Sequence, residues 1–137
     1  KLTVYDIDPV FIEDINSRQV DKWRLIPALH DILTGPLPEK YDAIYSLDVV
    51  EHIENSKEHL YAEHIKNSLA PHGVAIIGAP TLESQTYASP QSKIGHVNCN
   101  SGKHFHQVFI FSMNDEVVHT GYYPMAHYTF ALCVEPK

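Results

Sequence analysis

Asp48, Glu51 and His52 fall within five positions at the end of YDAIYSLDVVEHI, residues 41 to 53. An imidazole titrates near pH 6.5 and a neighbouring carboxylate raises its basicity, so such a group can take a proton or hold a polar ligand. The same residues can also be read as a solvated loop whose histidine pins the chain by hydrogen bonds. Asp6 and Asp8 close LTVYDID, and Asp31 follows WRLIPALH. Each has an ordinary structural reading too, as a helix cap or a turn aspartate.

The chain has ten histidines. HLYAEH, residues 59 to 64, has neither HExxH nor HxxEH spacing. His96, Cys99, His104 and His106 are better zinc ligands by type, yet scattered His and Cys usually bind nothing, and no metal ligand is assigned. His119, Tyr122, Tyr123 and His127 flank the last turn, where they can shape a small-molecule pocket or pack a hairpin.

These residues need a frame. LTVYDID reads as a strand, and Pro9 opens a helix, since its missing N–H has no partner in a first turn. Pro27 predicts an edge position for the run at residues 23 to 33. Tyr41 to Leu47 is a strand; Asn55 and Glu58 form a capping box for a helix with Tyr61, Ile65 and Leu69 on one face. Pro71 and Gly73 stop that helix, and VAIIGAP is a strand of the kind buried on both faces. Residues 108 to 113 and 127 to 135 read as an antiparallel pair. Between Pro80 and Val108 no convincing helix is found. Strands alternating with helices give an α/β class, a doubly wound, mostly parallel sheet whose ligands lie at the carboxyl ends of the strands.

At 137 residues this is one domain's worth of chain, and 44% hydrophobic with 20% charged residues is ordinary for a soluble globular protein. A formal charge of −7 opposes a nucleic-acid partner. No apolar run approaches the roughly 20 residues of a membrane helix, so no membrane partner is expected. The two cysteines are not a CxxC pair, and a reducing cytoplasm is the expected setting.

From VYDIDP through HDI, YDAIYSLDVVEHI and LAPHGVAIIGAP, the chain resembles the class I S-adenosylmethionine-dependent methyltransferases. It is also similar to bacterial members of that family through ASPQSKIGHVNCNSG and FSMNDEVVHTGYYPMAHY. The resemblance implies a Rossmann-like sheet with an antiparallel last strand. Asp6 matches the acid that takes both ribose hydroxyls, with Ile7 beside it. Asp31 matches the acid that accepts from the adenine amino group, with the N–H of Ile32 toward a ring nitrogen. Leu47 and Asp48 match the strand tip next to the methionine part. His52 is the expected catalytic base, and Glu51, His119 and Tyr123 are expected substrate contacts. The implied cofactor is S-adenosylmethionine, with S-adenosylhomocysteine as product; the implied partner is a small-molecule methyl acceptor, and a homodimer is admitted.

The family's first strand and glycine-rich loop have no counterpart, since no GxG occurs. The expectation is therefore a single, partial methyltransferase-like domain over residues 1–137, incomplete before residue 1 and near 102–104. The alternative is a non-catalytic binding protein that keeps the fold without the cofactor loop.

Overall fold

The computed structural model describes residues 1–18, 22, 24–101, 104 and 128–134, which belong to two compact units, Lys1–Gly35 and Pro36–Lys137. In the first unit the apolar run after Lys1 is strand β1 (Leu2–Asp6), followed by helix α1 (Pro9–Ser17) and strand β2 (Leu25–Leu29). The helix starts where Pro9 predicts. Asp8 caps it, its Oδ1 accepting the Val10 N–H at 2.8 Å. β2 lies parallel to β1, in register from Leu2 opposite Leu25 to Asp6 opposite Leu29. Pro27 sits opposite Val4 in this two-stranded sheet, where a strand with an open edge tolerates the missing N–H.

The second unit holds strand β3 (Tyr41–Leu47), helix α2 (Glu58–Ser68), strand β4 (Leu69–Pro80), helix α3 (Pro90–Gly95) and strand β5 (Tyr128–Val134). The sheet order is β3-β4-β5, with β3 parallel and β5 antiparallel to β4. The antiparallel last strand is as expected. Its described partner is β4; the run at 108–113 lies outside the described residues.

Alternation along β4 sets the core. Ala75, Ile77 and Ala79 are buried, joined by Ala131 and Cys133 from β5 and by Tyr61, Ala62 and Ile65 from α2. Burial pushes the Cys133 thiol up to about 11, as for an inert core cysteine. The expectation that VAIIGAP is buried on both faces is corrected: Ile76 is 41% exposed, as are Tyr45, Leu47 and Phe130 to a similar or greater degree.

Three further local expectations are corrected. The capping box does not form: Asn55–Lys57 winds into a 3-10 turn, and α2 begins at Glu58 without a side-chain cap. Both box residues are taken by distant partners, Asn55 Nδ2 donating to Asn98 Oδ1 at 3.2 Å and Glu58 Oε1 accepting from Asn100 Nδ2 at 3.0 Å. Next, α2 stops at Ser68, before Pro71 and Gly73, and Leu69 is already extended. The buried Ser68 hydroxyl donates to the His64 carbonyl at 2.6 Å and accepts the Leu37 N–H at 2.8 Å. Pro71 and Gly73 instead lie in an irregular stretch of β4, where the register passes from Tyr41–Leu69 to Ala43–Val74. Finally, the segment after Pro80 does contain helix, a 3-10 turn at Glu83–Tyr87 and α3, capped by Ser89 with Pro90 in its first turn. At six residues, α3 is too short to show an apolar face by periodicity.

Gly78 marks the closest approach at the upper end of this sheet. A Cβ there would stand 2.6 Å from Tyr128 Cε1, 2.9 Å from Leu47 Cδ2 and 2.9 Å from Phe130 Cδ1. Gly78→Ala is expected to cost about 1–3 kcal/mol through overpacking. An unchanged urea-unfolding midpoint for that variant would contradict this packing.

Candidate functional site

Asp6 ends β1 and Asp31 lies two residues beyond β2, so both stand at the carboxyl ends of adjacent parallel strands of the first unit. Asp6 Oδ1 accepts the Asp8 N–H at 2.8 Å, and the Asp6 carbonyl accepts the His30 N–H at 2.9 Å. Those two bonds hold the strand end and orient the carboxylate. Asp31 Oδ1 accepts the Leu33 N–H at 2.9 Å in an Asx turn. His30 ties the same rim down, its Nε2 lying 3.0 Å from the Gly35 carbonyl oxygen. Ile7 is 67% exposed beside Asp6, and Ile32 is half-buried after Asp31.

In the second unit the rim is the carboxyl end of β3. Leu47 is exposed, and Asp48 bends the chain with φ 56°, a left-handed conformation that aspartate tolerates better than most residues. The Asp48 N–H is shared between the Gly78 carbonyl and the Tyr128 hydroxyl, each at 3.1 Å. Burial, then the Asp48 carboxylate beside it, raises the pKa of the Tyr128 phenol. The bend turns Val50–His52 into a 3-10 turn, closed by the His52 N–H to the Val49 carbonyl at 3.0 Å.

That turn drives Glu51 inward. Its relative exposure is 0%, and neither carboxylate oxygen has a hydrogen-bond partner among the described residues. Burial raises its pKa above the usual carboxylate range; its own backbone N–H, near but not in hydrogen-bond geometry, and His52 act against the rise, and Asp48 adds to it. His52 turns outward. Its Nδ1 lies 2.9 Å from the Gly95 carbonyl oxygen, an acceptor only, so Nδ1 carries the proton and Nε2 keeps a lone pair. That Nε2 lies 3.9 Å from Glu51 Oε1.

The segment from Thr81 to Ser101 returns to this turn through the Asn98 N–H, which donates to the Glu51 carbonyl at 3.0 Å, and closes on itself through the Leu82 N–H to the Asn100 carbonyl at 3.1 Å. It carries His96 to His52, ring centroids 5.1 Å apart and nearly perpendicular. Burial and the neighbouring His52 hold the His96 imidazolium below its ordinary range, which favours the neutral ring. His96 Nδ1 lies 3.0 Å from Gln85 Oε1. The amide is oriented by Gln85 Nε2, which donates to Ser84 Oγ, so this imidazole also protonates Nδ1 and leaves Nε2 bare.

Among the expected residues, Asp6, Ile7, Asp31 and Ile32 share a rim within the first unit, and Leu47, Asp48, Glu51 and His52 lie together within the second. Glu51 reaches no solvent as a substrate contact would. His119 and Tyr123 lie outside the described residues, as does His106. The loop cluster is divided among the described residues: His96 turns to His52, whereas His104 Nε2 lies 3.5 Å from Glu58 Oε2. Cys99 is half-buried, and its pKa is raised by burial and by Glu51, which disfavours the thiolate. Sequence reasoning did not join His96, Gln85 and Gly95 to His52. No local spacing connects them.

No family model matches the sequence, and no curated protein does. Solved structures match in fold. Human N-acetylserotonin methyltransferase, in complex with SAM, superposes with a TM-score of 0.73 at 16% identity, over 100% of this chain and 41% of its own. The N-methyltransferase NodS from Bradyrhizobium japonicum WM9 gives 0.71 at 20% identity, over 100% of this chain and 74% of its own. LepI, in complex with SAM, gives 0.74 at 7% identity, over 98% of this chain and 36% of its own. The chain thus has the α/β fold of S-adenosylmethionine-dependent methyltransferases, and it spans less than half the length of the first of these.

Glu51 makes a pH prediction for metal-free protein. A carboxyl raised on folding contributes its stability below the unfolded value and loses it as pH rises through the folded value. Glu51→Gln, in buffer with chelator, should gain about 1–3 kcal/mol on the parent by pH 8, because both side chains leave a buried polar group unsatisfied but only the carboxyl can ionise there. The gap should close toward pH 4. Urea melts in which the parent is the more stable protein at pH 8 would contradict the isolation of this carboxyl.

Proposed function

We propose that this chain is part of an S-adenosylmethionine-dependent methyltransferase acting on an oxygen or nitrogen of a small molecule. The observation that carries the reading is Asp6. Its carboxylate ends β1 in a fold shared with methyltransferases, one oxygen held by the Asp8 N–H, and it has acceptor capacity to spare for a vicinal diol. NodS, one of the matching structures, was also solved in complex with S-adenosyl-L-homocysteine.

In this reading Asp6 takes the ribose hydroxyls, Asp31 and the Ile32 N–H take the adenine edge, and Leu47 and Asp48 serve the methionine end. When bound, S-adenosylmethionine supplies an electrophilic methyl that an acceptor lone pair displaces from sulfur, the C–S electron pair leaving with the thioether. Methyl transfer of this kind depends mainly on alignment, so the residues chiefly orient the two reactants. His52 is the group on its rim suited to accept the acceptor's proton, because Nδ1–H is committed to Gly95 and Nε2 holds its lone pair. A formal charge of −7 favours a small-molecule acceptor over nucleic acid.

Calorimetric titration of S-adenosylhomocysteine into the full-length gene product should show one site. Asp6→Ala should weaken it by a factor of about 10–100, the loss of one or two hydrogen bonds to a charged group. No binding by the folded full-length protein, or affinity unchanged in Asp6→Ala, would refute the assignment.

A further inference from the structure

We infer that Glu51, His52 and His96 form a binding site for a divalent transition-metal cation of the zinc type. One ligand atom from each residue lies within 4.8 Å of those of the other two. Around a tetrahedral ion with bonds of about 2.0–2.1 Å the donors stand about 3.3 Å apart, so closure needs side-chain shifts of about an ångström.

Two independent features point to a cation. The first is Glu51, whose carboxylate is removed from solvent and makes no hydrogen bond through either oxygen among the described residues. Native proteins seldom leave such a group unmatched. The second is the orientation of the imidazoles. Both give Nδ1–H to an oxygen, His52 to the Gly95 carbonyl at 2.9 Å and His96 to the Gln85 amide at 3.0 Å. An outer oxygen on the far nitrogen is the usual support of a metal-bound histidine, since it fixes the tautomer and turns the other lone pair to the ion. Two such supports stand beside one buried carboxylate.

The donor set selects the ion. Two imidazoles and one carboxylate suit zinc and its first-row neighbours over magnesium or calcium, which prefer oxygen. Three protein ligands leave at least one position open, and His52 is half-exposed, so water or an oxygen donor of a substrate can enter it.

The cation site does not depend on the methyl-transfer reading, but one consequence does. A bound cation occupies the His52 Nε2 lone pair, which then cannot act as a base. An acceptor hydroxyl would instead bind the cation and lose its proton more readily there. The two roles of His52 are exclusive.

The full-length protein, stripped with chelator, should bind about one equivalent of Zn²⁺ by calorimetry and give the visible absorption of low-coordinate Co²⁺. His96→Ala, His52→Ala and Glu51→Gln should each weaken Zn²⁺ by more than the 10–100-fold typical of an outer-shell loss, and Gln85→Leu by an amount within that range. Cys99→Ser should change nothing. The His52 side chain is half-exposed, so its replacement reports on the site without disturbing the interior. Absence of Zn²⁺ binding, binding unaltered in His52→Ala and His96→Ala, or a comparable loss in Cys99→Ser would overturn the site. S-adenosylhomocysteine binding by the same stripped protein reads the methyl-transfer proposal separately.

Discussion

A carboxyl group taken out of water without a hydrogen bond is the constraint around which the second unit is arranged. Leaving such a group unmatched costs about 1–3 kcal/mol, and more when it is ionised. Glu51 is placed there by the left-handed bend at Asp48 and the short turn that follows. Its backbone carbonyl anchors the returning segment through Asn98, and its side chain faces the two imidazoles which that segment and the turn bring together. In the metal-free protein the carboxyl meets the constraint by staying protonated to a higher pH than usual. A cation would meet it by neutralising the charge.

The sheet positions that arrangement. Small residues line the covered face of β4 and β5, so Tyr61 of α2 can lie fully buried against them. At the rim, Gly78 leaves room for Leu47, Tyr128 and Phe130 to meet. The Tyr128 hydroxyl then reaches the Asp48 N–H, linking the last strand to the bend that carries Glu51 and His52. A buried polar network completes the support, with Asn100 bridging Glu58 and Asn98. Each bond is modest, and their convergence on one turn makes it specific.

What could be read from the sequence follows the range of the interactions. Asp6, Asp31 and Asp48 were legible at strand ends because apolar runs closing on acids are local signals, and Pro9 with Asp8 announced α1 in the same way. The helix after Asn55 was legible, yet its start was not, since Asn55 and Glu58 satisfy a local capping rule that Asn98 and Asn100 override from 42 or 43 positions away. The end of that helix was misplaced for a related reason: Ser68 is held by Leu37, and Pro71 and Gly73 were the louder local signals. His96 joins His52 only through the return of residues 81–101, which no periodicity encodes. A short capped helix and a 3-10 turn hide in what reads as loop.

Anomalous diffraction from crystals of the full-length protein grown with Zn²⁺, recorded on both sides of the zinc absorption edge, locates the ion without reference to activity. A single strong peak is expected, bounded by the Glu51 carboxylate and the Nε2 atoms of His52 and His96. A peak at Cys99 and His104 instead, or well-ordered crystals with Glu51 hydrogen-bonded to protein and no peak beside it, would contradict it.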